Sequence, residues 1–200
     1  VGLKRDGTPG KVPSADDQIL PNDRVAIATA GEASFNRILR IFGHAPIDFP
    51  DKPQVAIFGA GRVGVRLAKA WLNAGAKVTV VERELEKANN LAGSDIGNMK
   101  GIEIIHGDHL DKNLLSEIEI GSHDIAISAL NDDHASIAAV LLAIDMGVER
   151  TGLILYDADL VNVVSRMGIT FSVDRQLVAT DSLLARIHPE LPGPYAALSR

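Results

Sequence analysis

At 200 residues the chain has room for one or two domains, and a 46% hydrophobic content is enough for a sizeable core. A formal net charge of −6, with no basic run or aromatic-interleaved patch, argues against a nucleic-acid partner held through its phosphates. The lack of cysteine excludes disulfides and thiolate metal sites and is compatible with a reducing cytoplasm, and no apolar stretch approaches the roughly 18 residues of a membrane span.

The chain begins at Val1 rather than methionine and is expected to be an excerpt of something longer. Its first 43 residues predict a small β-β-α unit. Val1 to Lys4 reads as a strand, and Arg5-Asp6-Gly7-Thr8-Pro9-Gly10 is a dense turn signal. Pro21-Asn22-Asp23 marks a second turn before a strand-like run from Arg24 to Ala30. Phe35, Ile38, Leu39 and Phe42 then recur at helical spacing over 33–42. Such a unit buries little core alone, so it either packs on the next domain or is the remnant of a domain whose first part is missing. Pro46, Pro50 and Pro53 make 44–53 the expected linker, with the main domain over 54–200.

The apolar run Val55 to Phe58 ends in three glycines spaced G-x-G-x-x-G, in Gly59-Ala60-Gly61-Arg62-Val63-Gly64. Val63, Leu67 and Trp71 follow at four-residue spacing and give one apolar helix face. A buried strand thus turns sharply into a helix, whose unpaired N–H groups and positive dipole end make an anion site. In this pattern Gly59 allows the tight turn, Gly61 the approach of a pyrophosphate, and Gly64 the close packing of helix on strand. The next strand, Lys77 to Val81, runs into Glu82, 18 positions after Gly64, near the spacing of a ribose-binding acid. The plainer alternative is a glycine-rich turn that merely fits tightly, with Glu82 as a solvated helix start.

Strand and helix alternate from there. Strands are predicted over 54–58, 77–81, 102–106, 124–129, 152–155 and 169–173, with helices over 62–74, 84–92, 110–117, 132–146, 157–167 and 176–187. Asp132 or Asp133 can cap one helix and Asp157 another. The alternation predicts an α/β fold, a Rossmann-like doubly wound parallel six-stranded sheet in the order 3-2-1-4-5-6, preceded by a partial small α+β subdomain. Ligands of such folds sit beyond the carboxyl ends of the strands, where the order reverses. There the sequence places Gly59 to Gly64, then Glu82 and Arg83, then Gly107-Asp108, then Leu130-Asn131-Asp132. Asp108 is read either as an adenosine contact or as the cap of helix 110–117, and Asn131 either as a contact to the middle of a dinucleotide or as a polar loop residue. Arg62 either reaches a terminal phosphate or is a solvated helix-start arginine.

Other groupings carry less. His106, Asp108, His109 and His134 lack the spacing of a metal site, and His44, His123 and His188 are scattered. Met146 and Met167, at helix ends, are expected to pack on apolar faces. Neither a G-x-S-x-G elbow nor a P-loop occurs. An NAD-dependent oxidoreductase is the alternative function; it needs a proton donor beside the nicotinamide, and Tyr156 is followed four residues on by Leu160 rather than lysine.

From 54 to about 187 the chain resembles the RCK (KTN) nucleotide-binding domain family of potassium channels and transporters, and in particular the regulatory subunits of Trk-type potassium uptake. The matching residues are Val55 to Gly64, Val80-Val81-Glu82-Arg83, Gly107-Asp108, and Asp124 to Asp133 with the helix after it. Residues 1–43 resemble the latter part of the RCK C-type subdomain that follows each such domain, so the excerpt would span the end of one copy and the nucleotide domain of the next. The resemblance implies a non-catalytic, cytoplasmic homo-oligomer, peripheral at the inner face of the plasma membrane and docked on a membrane-embedded Trk-type potassium transporter subunit. It also implies NAD or NADH, alternatively ATP or ADP, bound by Gly59, Ala60, Gly61, Arg62, Val63, Gly64, Glu82, Arg83, Gly107, Asp108, Leu130 and Asn131. Many relatives have an arginine at the end of the fifth strand, where this chain has Leu155-Tyr156, and the loop from Gly93 to Lys100 is longer than the family pattern.

Overall fold

Strand β3 (Gln54–Phe58) is the centre of the larger structure, and its alternation explains why. Val55 and Ile57 face one layer of core while Ala56 and Phe58 face the other, and all four are fully buried. Burying a side chain of the size of Val55, Ile57 or Phe58 contributes about 1.5–3 kcal/mol, which favours a strand covered on both faces over one lying at an edge.

A computed structural model of the chain describes residues 2–5, 7–27, 32–43, 50–164, 166–176 and 178–180. The chain divides into two compact units, the larger over 49–179. In the smaller unit β1 (Gly2–Lys4) pairs antiparallel with β2 (Arg24–Ala26), Leu3 opposite Val25, and α1 (Glu32–Ile41) follows. Leu3 and Lys11 also exchange backbone hydrogen bonds of 2.8 and 2.9 Å. Polar contacts do much of the holding. The Arg5 guanidinium donates to both oxygens of Asp23 at 2.8 Å, and Asp17 accepts from the Ser14 amide at 2.7 Å and from Lys11. Leu3 is buried, whereas Val12, Ile19, Ile41 and Phe42 are exposed. The continuation of the second strand over 28–30, the Phe35 side chain, linker residues 44–49 with His44, and His188 lie outside the described residues. Most of the expected helix 176–187 does as well.

In the larger unit the order is β3, α2 (Arg62–Asn73), β4 (Lys77–Glu82), α3 (Leu85–Ala92), β5 (Ile102–His106), α4 (Lys112–Glu117), β6 (Ile125–Ser128), α5 (Asp133–Asp145), β7 (Thr151–Leu155), α6 (Ala158–Val164) and β8 (Phe171–Asp174). The sheet is parallel throughout, β5-β4-β3-β6-β7-β8, which is the doubly wound order expected from the alternation. Ala68 and Leu72 of α2 close one core layer with Val78 and Val80; Leu115, Ala139 and Ala143 close the other with Phe58 and Val81. Ile96 and Met99, from the long segment after α3, pack against the first layer.

Several expectations are corrected. The helix read from 110 starts at Lys112, because the Asp111 carboxylate caps it by accepting the Asn113 amide at 2.9 Å. Asp108 is therefore not that cap; its Oδ1 accepts the Leu110 amide at 2.9 Å in the turn before. The helix read to 167 ends at Val164, where Arg166 and Met167 make tighter turns onto Val163 and Val164, and Gly168 takes a left-handed φ of 80°. Met167 is consequently exposed rather than packed, and the last strand starts at Phe171 rather than 169. Of the two candidate caps for α5, Asp132 is the one that caps it, accepting the Ala135 amide at 2.9 Å, as expected.

Candidate functional site

The glycine turn after β3 is shaped by two different constraints. Gly59 sits at φ 103°, and a Cβ there would press on Leu130 at 3.0 Å. Gly64 lies so close to the turn that its Cβ would collide with the Gly59 carbonyl oxygen. Gly61 obeys neither constraint. Its φ is −69° and ψ 176°, conformations open to any residue, and nothing lies within 4 Å of a Cβ built on it. Gly61 is also the N-cap of α2, and no side chain caps that helix end. The N–H groups of its first turn thus lack both intrahelical and side-chain-cap partners, and the positive end of the helix dipole stands behind them.

Glu82, at the carboxyl end of the neighbouring strand, is buried against this turn. One oxygen accepts the Ala60 amide at 2.6 Å and the other the Glu84 amide at 2.8 Å. An ionised carboxylate has about four lone-pair positions, so two remain for other donors. The sequence reading gave Glu82 to a ribose and missed its part in holding the turn. Gly107 donates its amide to the Glu82 carbonyl at 3.0 Å, which brings the end of β5 to the same place.

These strand ends enclose a cleft of about 190 Å³. Of the residues singled out by sequence, Gly59, Gly61, Glu82, Arg83, Leu130 and Asn131 line it. Ala60, Arg62, Val63, Gly64, Gly107 and Asp108 do not: Val63 packs on the core, Arg62 and Asp108 are exposed, Ala60 and Gly64 shape the glycine turn, and Gly107 lies against Leu114. Asp132, which the sequence places at the same strand end as Asn131, lines the cleft too, whereas sequence reasoning missed Glu84, Lys87 and His109 among the lining side chains. Their common signal is position, one to five residues past a strand end that had already been marked. The Glu84 carboxylate, 2.6 Å from the Lys87 ammonium, holds that lysine above its ordinary pKa. His109 is buried, and burial pushes its imidazole below the usual histidine range.

Beyond the switch point the strand ends are tied together. Asp133 accepts the Tyr156 amide at 3.0 Å and the Asp157 amide at 2.8 Å. The Tyr156 hydroxyl donates to Asn131 Oδ1 at 2.8 Å and accepts from the Arg175 guanidinium, which also lies 4.8 Å from the centre of the Tyr156 ring. No arginine ends β7, but Arg175, just past β8, brings a guanidinium to that corner. Among the described residues no group of three or more His, Asp or Glu side chains could hold a metal, and no helix is long and apolar enough to cross a membrane.

A doubly wound parallel sheet with a glycine turn, an uncapped helix start and a buried acid on the adjacent strand is the build of a Rossmann-like domain. Residues 55–174, more than half of the chain, match the TrkA-N domain family, and the chain belongs to it. The Trk system potassium uptake protein TrkA of Azorhizobium caulinodans is 29% identical over 189 residues, covering 94% of this chain and 39% of that protein. A TrkA homolog of Archaeoglobus fulgidus is 31% identical over 137 residues, covering 68% of this chain and 29% of that one. The chain thus spans well under half the length of these relatives. Among solved structures, the GsuK channel bound to NAD superposes with a TM-score of 0.58 at 15% identity, over 80% of this chain and 34% of that one. GsuK bound to ADP gives a TM-score of 0.57 at 16% identity, over 77% and 41%. At such identities the likeness is one of fold.

Proposed function

We propose that this chain is the nucleotide-sensing part of a potassium-uptake regulator, taking NAD(H) or ADP/ATP in the cleft at the switch point. The observation that carries the reading is Gly61. Neither its backbone conformation nor its surroundings call for glycine, yet it stands at the uncapped start of α2, where a side chain would meet an arriving phosphate. In this reading the amides of Gly61 to Gly64 take the phosphates, with Arg62 beside them, while those of Gly59 and Ala60 stay on Val81 and Glu82. Glu82 and Arg83 meet the ribose, Gly107 and Asp108 the base side, and Leu130 and Asn131 the far half of a dinucleotide. The NAD and ADP bound by GsuK in the same fold, and the potassium uptake named for the relatives, support both halves of the proposal.

The role is binding rather than catalysis. A ligand shifts an assembly only by as much as it binds one conformation better, so the regulator would act on a membrane-embedded Trk-type transporter through that difference. It would do so as a homo-oligomer at the cytoplasmic face of the membrane, without nucleic acid. Isothermal titration of NAD, NADH, ADP and ATP tests the core of this. Saturable binding by at least one, lost in Gly61→Asp, is the expected result. Heat-silent titrations with all four, together with no ligand-induced rise in melting temperature, would remove the reading.

A further inference from the structure

His109 lies just past β5 on the wall of the cleft, 3% exposed, and neither of its ring nitrogens has a hydrogen-bond partner. Asp108 Oδ1 is 4.0 Å from Nδ1, beyond hydrogen-bond reach, and the ring leans on Phe58 with 6.4 Å between centroids. A neutral imidazole carries one donor and one acceptor, and burying both unpaired is costly. Glu82, in the same cleft, by contrast accepts one amide on each oxygen. The strand order gives the orphaned ring its place. Reading outward, the glycine turn follows β3, Glu82 ends β4, and His109 follows β5. If the first takes phosphate and the second ribose, the third faces the base, whose edge offers acceptors and donors side by side.

We propose that the neutral imidazole of His109 hydrogen-bonds the base of the bound nucleotide, so that binding is linked to deprotonation of this histidine and weakens in acid. The inference rests on the nucleotide reading of the cleft. Burial already disfavours the imidazolium; Arg83 disfavours it further, while Asp108 and Glu82 favour it. The other charged groups lining the cleft are Glu84, Lys87 and Asp132. A base meeting the ring edge-on takes its acceptor nitrogen, which the imidazolium lacks, so the bound-state pKa falls below that of the ligand-free state. Affinity is then full above the ligand-free pKa and is lost as pH drops through it.

NAD is the probe, because its phosphates keep constant charge over the range tested. Its dissociation constant is measured at about pH 8 and about pH 5 for the wild type and for His109→Gln, whose amide pairs but does not titrate. Between the ligand-free and NAD-bound midpoints of His109 the wild type should lose about tenfold in affinity per pH unit, and His109→Gln should bind with little pH dependence. In parallel, the imidazole of His109 in the wild type is titrated by NMR with and without NAD, and NAD should lower its midpoint; this measurement stands alone if the variant does not fold. Equal pH dependence in both proteins, tighter binding in acid, or a midpoint that NAD leaves unmoved overturns the role of His109 while leaving the nucleotide site intact. Failure of NAD, ADP and ATP to bind the wild type at either pH removes the site and the inference together.

Discussion

The carboxylate of Glu82, at the end of β4, accepts the amide of Ala60 in the glycine turn at 2.6 Å. The acid assigned to ligand recognition is therefore also a brace for the turn. Glu82→Gln keeps the size but has one acceptor oxygen for two amides, and sets an NH2 group against the other. Losing one charge-assisted bond and stranding a buried amide is expected to cost about 1–3 kcal/mol of stability with no nucleotide present, and nucleotide affinity falls in addition. Urea unfolding reads the first effect and calorimetry the second. Unchanged urea stability would mean that the brace contributes nothing.

The glycines of the turn should separate in their effects. Gly64→Ala drives a methyl group into the Gly59 carbonyl, backbone against backbone, and is expected to destabilise the chain by about 1–3 kcal/mol or more. Gly61→Ser meets open space and adds a favourable cap to α2. It should leave stability unchanged or raise it by up to about 1 kcal/mol while weakening nucleotide binding. A Ser variant that melts earlier than wild type would contradict this account of Gly61.

Asp133 joins the start of α5 to the end of β7 through two amides, Tyr156 and Asp157. Asp133→Asn exchanges one acceptor oxygen for a donor, at an expected cost of about 1–3 kcal/mol to this corner. Hydrogen exchange at the Tyr156 and Asp157 amides should speed up about tenfold for each 1.4 kcal/mol lost, with core strands less affected. Unaltered exchange at both positions would show that the carboxylate does not hold them.

Acid should loosen the smaller unit. Arg5 holds the Asp23 carboxyl down at about 2, helped by the Leu20 amide, and Lys11 with Ser14 holds Asp17 at about 2, against an ordinary 3.8. Both pKa values are depressed by folding, so their contribution is present above about pH 4 and is lost as pH falls toward about 2. NMR titration of the two carboxyls, followed alongside the Leu3 and Val25 amides, checks this. Titration of both at ordinary aspartate values would count against the pairs.

The sheet was legible because periodicity and glycine punctuation both report on a core covered from two sides. Val55 to Phe58, Val78 to Val81 and Ile125 to Ser128 are apolar enough to be read as buried parallel strands, and their order is that of the doubly wound fold which the alternation implies. Less legible were contacts that depend on side-chain direction. Asp108 and Asp111 both stand before the same helix, and only the geometry of the turn decides that Asp111 caps it. The second task of Glu82 is invisible in sequence because it needs the Ala60 amide, 22 residues earlier, to point at it. His109 stands in sequence beside other histidines without metal-site spacing; its significance lies in having no partner once buried, which sequence spacing does not encode. The smaller unit was read from turns, and what holds it, the Arg5–Asp23 fork, spans residues 18 apart.

Because β3 is hydrogen-bonded on both sides, to β4 and to β6, and wholly enclosed from Val55 to Phe58, freeing it means breaking the middle of the sheet. Its amides should exchange only through global unfolding, whereas loops and the outermost strand open in smaller fluctuations. The glycine turn is the direct continuation of that strand, so it keeps its shape through the breathing of everything around it. A molecule that docks there pays little entropy for ordering the protein, and its affinity is left to report on contacts alone.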